Sequence, residues 1–292
     1  MKRAEFLKKG LIAGAAVAAA PVILKTSKVE AKNSTYNKLM QQVGFNHLPN
    51  EERKTMNSVI HKASSRGHAD HGWLNSHHSF SFANYYNPER MNFGVLRVLN
   101  DDSVAGGKGF GTHPHDNMEI VSIPLSGDLE HKDSMGTVSV IKEGEIQVMS
   151  AGTGIYHSEY NKNSNQDVKF LQIWVFPREK NVKPRYDQIS IKDIAKKNEF
   201  YQVLSPSADD QGVWIHQDAW FHLADFDEGK SRKIKQKKAG NGFYFFVLEG
   251  SVEIEGEALS ARDGMGIWDA AEVSFTSKSN SRVLLMEVPM NL

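Results

Sequence analysis

The pattern that most narrows the possible folds begins near Arg66. From there the chain is a succession of short runs in which apolar and polar residues alternate, each closed by glycine or by Asn and Asp: SFSFANYY, FGVLRVLN, MEIVSIPL, TVSVIKEG, EIQVMSAG and FLQIWVF. Side chains of an extended strand point alternately to opposite faces, so a period of two with frequent turn residues predicts β-strands closed into a barrel or sandwich. Similar runs return beyond residue 199, in FYQVL, VWIHQDAWFHLADF, GFYFFVLEGSVEIEG and RVLLMEVP. Between the two sets, prolines and charges cluster in residues 177–198. There 181–198 reads as a linker with a short helix over IKDIAKKN. The expected class is all-β, with one unit at 66–180 and another at 199–292.

The two sets echo each other. IPLSGDLEH (Ile123 to His131) and FVLEGSVEI (Phe246 to Ile254) share the pattern apolar–apolar–x–Gly–x–apolar–Glu. Self-similarity at long spacing predicts a duplicated domain.

Composition removes several functions. Thirty-five basic residues balance thirty-five acidic ones, which argues against a nucleic-acid partner. With no cysteine, disulfides, zinc–thiolate sites, iron–sulfur clusters and thiol nucleophiles are excluded, so any metal is held by His, Asp, Glu or water.

The N-terminus reads as an address. Lys2, Arg3, Lys8 and Lys9 precede an apolar run from Gly10 to Leu24, and Val29 and Ala31 give an A-x-A-like cleavage site. Residues 1–31 are expected to be a signal peptide, the mature chain starting near Lys32 and residing in the periplasm or outside the cell. The run is shorter than the roughly 20 residues that span a bilayer, so no stable membrane span is expected in the mature chain. RAEFLK resembles the twin-arginine export motif with Ala4 in place of its second arginine, leaving that route and the general secretory route both open. Residues 32–65 read as a polar lead-in with a weak helical pattern around Tyr36 to Val43.

Two histidine-bearing pairs then stand out. In GFGTHPHDNMEI, His113 and His115 are two apart and project to one face of a strand, with Pro114 facing away. Proline removes a ladder hydrogen bond, so this position belongs at a sheet edge or a strand entry. In GTGIYHSEY, His157 and Glu159 have the same spacing. On neighbouring strands of a barrel the pairs aim three imidazoles and a carboxylate at one interior point. Such donors suit iron(II), manganese, nickel or copper better than calcium, and leave a coordination position open.

GKGFGTHPHDNMEIVSIPLSG and GEIQVMSAGTGIYHSE resemble the two cupin motifs. More closely, the run from GWLNSHHSFSFANYY through HPHDNMEI, LEHKDSMG and MSAGTGIYHSEYN to FLQIWVFP is similar to the pirin family of bicupins, over roughly Arg66 to Pro289. The resemblance implies two cupin barrels of the double-stranded β-helix, or jelly-roll, type. It implies one metal in the N-terminal barrel, held by His113, His115, His157 and Glu159. Iron(II) is the ion expected from the family, with Mn, Ni, Cu or Zn as alternatives. Glu119, in the place of the glutamate ligand of many cupins, is read as a supporting or strand residue. Asp116 and Asn117 replace the Arg-Gly of many relatives. The C-terminal barrel lacks both pairs, and its His216 and His222 are read as structural or exposed.

The resemblance also implies a metal-dependent dioxygenase of the quercetinase type, with a small aromatic substrate and O2 as partners, Glu159 as the catalytic proton acceptor, and a monomeric chain. The alternatives are a non-catalytic metal-sensing or protein-binding bicupin, and a cupin isomerase or hydrolase. Bland readings are preferred elsewhere: a surface loop over the pocket mouth for His68, His71, His77 and His78, a strand end over a support that orients a ligand imidazole for His131, and core over a stacking surface for the FYFF run.

Overall fold

A computed structural model describes residues 56–292; the expected signal peptide and the helical pattern near Tyr36 lie outside the described residues. The described residues form strands throughout, and their helical content is one 3-10 turn at Ala63–Ser65.

Two seven-stranded and two four-stranded sheets make a pair of barrels. In the N-terminal barrel the large sheet runs, by hydrogen-bonded neighbours, Arg185–Ser190, Glu145–Ser150, Glu119–Ser126, Val168–Val175, Leu96–Val104, Leu74–His78 and Gly67–Asp70. The small sheet runs Gly109–His115, Ile155–Asn161, Asp128–Asp133 and Val138–Lys142. Leu129 and Ile141 of the small sheet pack against Val104, Val168 and Phe170 of the large one, so the two face each other across the barrel interior. The C-terminal half repeats the plan, with Asn241–Glu249 and Ser281–Pro289 central in its large sheet. The sequence echo marks equivalent turns. Gly127 and Gly250 sit at φ +77° and +74°, a left-handed conformation that side chains disfavour, and a Cβ on Gly250 would stand 2.2 Å from the Asn280 carbonyl.

The large sheets are buried on both faces, which is why their strands read as nearly continuous apolar runs. Along Val168–Val175, Leu171, Ile173 and Val175 join Tyr201, Val203, Phe221, Phe246 and Met286 in a core between the barrels. The alternate residues Phe170, Gln172 and Trp174 face the N-terminal barrel's interior, where Phe170 packs in one apolar cluster and Trp174 borders another. The C-terminal interior is filled instead: Phe226, Phe243, Phe245 and Phe275 share one apolar cluster. The FYFF run therefore serves two cores, Phe243 and Phe245 inside the barrel and Tyr244 and Phe246 between barrels.

Two expectations about connecting segments change. Residues 57–61 of the expected lead-in form the strand Asn57–His61, which pairs with Gly264–Trp268 and so completes the edge of the C-terminal sheet. Within the expected linker, Arg185–Ser190 is a strand on the N-terminal large sheet, paired with Glu145–Ser150, and Ile191 to Asn198 forms turns rather than a helix. Tyr186 and Gln188 share one face of this edge strand and Ile189 lies on the other, and the charges around it hid that short pattern.

His61 anchors the first strand. It is buried, and its Nδ1 meets the Tyr244 hydroxyl at 2.9 Å. Burial, reinforced by Arg90, lowers its pKa to about 4. The folded chain therefore binds fewer protons than the unfolded one between about pH 4 and 6.5, and stability falls as pH drops through that window. In a His61→Gln variant the fall should be shallower, by up to about 1.4 kcal/mol per pH unit. Denaturant titrations of both proteins from pH 7 to pH 4 check this, and parallel curves would contradict it.

Candidate metal centre

The edge strand Gly109–His115 pairs antiparallel with Ile155–Asn161, His157 standing opposite His113 and Ile155 opposite His115. Gly109–His115 is the first strand of its sheet, and Pro114 is exposed on it, as a residue lacking a donor requires. The rings of His113, His115 and His157 converge, with centroids 4.4 to 4.9 Å apart. One nitrogen from each lies within 4.8 Å of the others.

The hydrogen bonds decide which nitrogens face inward. His113 Nδ1 lies 2.8 Å from the Gly111 carbonyl. A carbonyl only accepts, so Nδ1 carries the proton and Nε2 presents a lone pair. His157 Nε2 is buried without a protein partner. Burial, then the neighbouring histidines, lower His157 to about 2; burial and His113 lower His115 to about 4. These imidazoles stay neutral, which is the state a metal requires. The edge of His115 rests on Trp174, with ring centroids 4.8 Å apart.

Behind His157 lies His131, fully buried. Of the two readings of His131, the geometry favours the support for a ligand imidazole over the plain strand end. Asp133 Oδ1 accepts the Met135 and Thr137 amides, and Oδ2 lies 3.1 Å from His131 Nε2. Burial raises the Asp133 pKa, but these hydrogen bonds outweigh it and hold the carboxyl below its ordinary range. With Nε2–H given to Asp133, His131 Nδ1 is left as an acceptor for His157 Nδ1, 3.5 Å away. That orientation turns His157 Nε2 toward the triad. Tyr186, from the segment expected to be a linker, packs on His131 at 4.7 Å. Replacing His131 with Leu should weaken metal binding about 10–100-fold, the usual cost of losing such a support. Competition against a chromogenic chelator checks it, and unchanged affinity would contradict the relay.

Glu159 follows a bulge that shifts the register after His157. It is buried, lines the same cavity as His113, and stands outside the triad's cluster of nitrogens. Its Oε2 accepts Gln172 Nε2 at 2.7 Å and its Oε1 accepts Ser122 Oγ at 3.2 Å. Burial raises its pKa against those two donors. Each carboxylate oxygen retains a further lone pair for a cation or a substrate proton. Glu119, by contrast, shares its strand face with Val121 and Ile123, toward the core between the barrels. Its carboxyl accepts Ser150 Oγ at 2.6 Å, and burial raises it to about 7. Asn117 also turns from the cavity: its side chain accepts the Asn181 amide at 2.7 Å.

A polar row went unnoticed in the sequence. His78, Asn100, Gln172, Ser122, Gln147 and Gln188 are successive cross-strand partners across six strands of the large sheet. Directly paired residues share a face, so the row lies on the side that faces the small sheet and its triad. Three members are lone polar residues in apolar runs, Ser122 in MEIVSIPL, Gln147 in EIQVM and Gln172 in FLQIWVF. The histidine cluster expected in a surface loop lies on a hairpin. His68 and His77 stack outside at 4.5 Å, while His78 is buried and lines the cavity.

The cavity is about 590 Å3, walled by Trp73, Phe82, Phe110 and Trp174, and reaches His113 and Glu159. Convergent imidazoles, an unpartnered buried nitrogen and a nearby buried carboxylate fit a divalent transition ion. In the C-terminal barrel the described residues bring no such triad together, and His222 lies against Leu285 and Glu287 in a separate cavity.

Residues 59–175 match the Pirin family, and residues 202–288 match the quercetinase C-terminal cupin domain. Quercetin 2,3-dioxygenase of Escherichia coli strain K12 is 45% identical over 234 residues, 79% of this chain and 98% of that protein. The chain belongs to the pirin family. A pirin-like protein of Caulobacter vibrioides is 37% identical over 76% of this chain and 95% of its own length. The crystal structure of the bacterial pirin YhhW from Escherichia coli in complex with nickel(II) superimposes with a TM-score of 0.75 at 42% identity, covering 80% of this chain and 99% of that one. Both halves of this pirin are thus cupins, and the triad is its candidate centre for a divalent metal.

Proposed function

We propose that this pirin is a metal-dependent dioxygenase that opens the ring of flavonols such as quercetin with O2, at a centre held by His113, His115, His157 and Glu159. The observation that carries the reading is the convergence of three imidazoles beside an aromatic-walled cavity. Relatives that span nearly their whole length with this chain bear the name quercetin 2,3-dioxygenase. Iron(II) is the proposed resident ion; nickel, present in the YhhW complex, suits the same donors.

When bound, the cation supplies Lewis acidity that stabilises a flavonolate oxyanion and a position at which substrate and O2 meet. The chain supplies the rest. Trp174, Phe82 and Phe110 present flat apolar walls that fit a planar ring system and exclude water. Glu159 takes the flavonol hydroxyl proton on a carboxylate oxygen, while Gln172 and Ser122 fix the group in place. A purely sensing or partner-binding bicupin would require a closed shell around the metal, and a cavity reaching both His113 and Glu159 disfavours it. Oxygen-electrode traces with metal-loaded protein and a flavonol panel test the proposal; no uptake with any flavonol would overturn it.

A further inference from the structure

We infer that His78 and Asn100 form a hydroxyl-recognition subsite on the large sheet, facing the triad on the small one. They are direct cross-strand partners, as are Ser76 and Asp102, and the two pairs lie two residues apart on both strands. All four side chains therefore share the interior face, and all four are at most 4% exposed. Four polar groups inside a barrel are unfavourable unless each is satisfied.

Two of them are not. Ser76 Oγ donates to Asp102 Oδ1. Its lone pair then accepts His78 Nε2–H, at 2.8 Å. The neutral ring is left with a bare Nδ1, which is buried and has no protein partner. Asn100 Oδ1 is likewise buried and unpartnered. Both residues line the 590 Å3 cavity that reaches Glu159 and Trp174. The side chains of the cavity floor thus hold two acceptors without partners, and pairing them calls for O–H donors from the occupant. Edge contact with Phe82, at 5.3 Å between centroids, holds the His78 ring against turning. The ligand class is a planar aromatic that carries hydroxyl groups besides the one delivered to Glu159. A site built to hydrogen-bond a hydroxyl strongly rejects an analogue that lacks it, because its own buried polar atoms are then left unpaired.

The inference rests on the aromatic-substrate reading of the cavity, and the test separates the two. Isothermal titration calorimetry under nitrogen, on the metal-loaded protein, compares quercetin with 3-hydroxyflavone, which keeps the reacting ring and lacks the other hydroxyls. Binding of quercetin at least about 10-fold tighter is expected. In Asn100→Ala and in His78→Phe the ratio should shrink toward unity, while Asn100→Asp, which keeps an acceptor, should preserve a preference. Equal affinity of the wild-type protein for both compounds would overturn the subsite, whatever the variants do, and so would an unchanged ratio in folded Asn100→Ala and His78→Phe. Absence of binding by both compounds would instead remove the aromatic-substrate reading, and the subsite with it.

Discussion

Glu159→Gln is expected to lower flavonol-dependent oxygen uptake at least about 100-fold, the lower end of what a positioned proton acceptor contributes, while the metal stays bound. The substitution is nearly isosteric and the surroundings accept it. Gln172 Nε2 must face an oxygen, so the new amide carbonyl takes the place of Oε2. The new amide nitrogen then faces Ser122, whose hydroxyl rotates to accept. Three imidazoles remain, oriented by Gly111 and by the His131–Asp133 pair. What is lost is the negative charge and the basic lone pair. Loss of activity together with loss of metal would mean that Glu159 acts chiefly as an anchor. A less than about threefold fall in uptake would remove its proton-transfer role.

Phe245→Ala is expected to destabilise the protein by about 3–5 kcal/mol, as removal of a buried phenylalanine does when the cavity cannot collapse. Phe245 is fully buried among Phe226, Phe243 and Phe275, between strands locked by ladders on both sides. For a chain of this size the thermal midpoint should fall by roughly 6–20 °C. Metal content at 25 °C should nevertheless stay unchanged, since the residue lies in the barrel that has no triad. Metal analysis beside a melting curve checks both halves. Loss of metal from a still-folded variant would contradict the division of labour between the barrels, and a cost below about 1 kcal/mol would contradict a packed, scaffold-like C-terminal core.

The two barrels and the triad were readable because each rests on a local rule. Alternation marks strands, and i, i+2 spacing puts His113 with His115 on one face without knowledge of the partner strand. The polar row escaped because each member is unremarkable within its own strand. Ser122 or Gln172 alone looks like a tolerated polar residue, and only the register that places Asn100, Gln172, Ser122 and Gln147 side by side makes them one surface. The supporting role of His131 was the less favoured of its two readings for the same reason, since its neighbours Asp133 and His157 gain meaning only through the pairing of two strands. The strands Asn57–His61 and Arg185–Ser190 were obscured differently. Short edge strands in charged surroundings carry little alternation, and their partners lie far along the chain. Glu119 shows parity working against a family pattern: one residue away from Ile120, it falls on the opposite face of the sheet.

The most direct measurement is oxygen consumption by wild-type protein loaded with one equivalent of iron(II), on addition of quercetin, against the same protein stripped of metal and against a His157→Ala variant. The account predicts one O2 consumed per quercetin lost with the loaded protein, and none above background with the other two. No uptake by protein shown to hold stoichiometric metal at the triad, or undiminished uptake by His157→Ala, would contradict it.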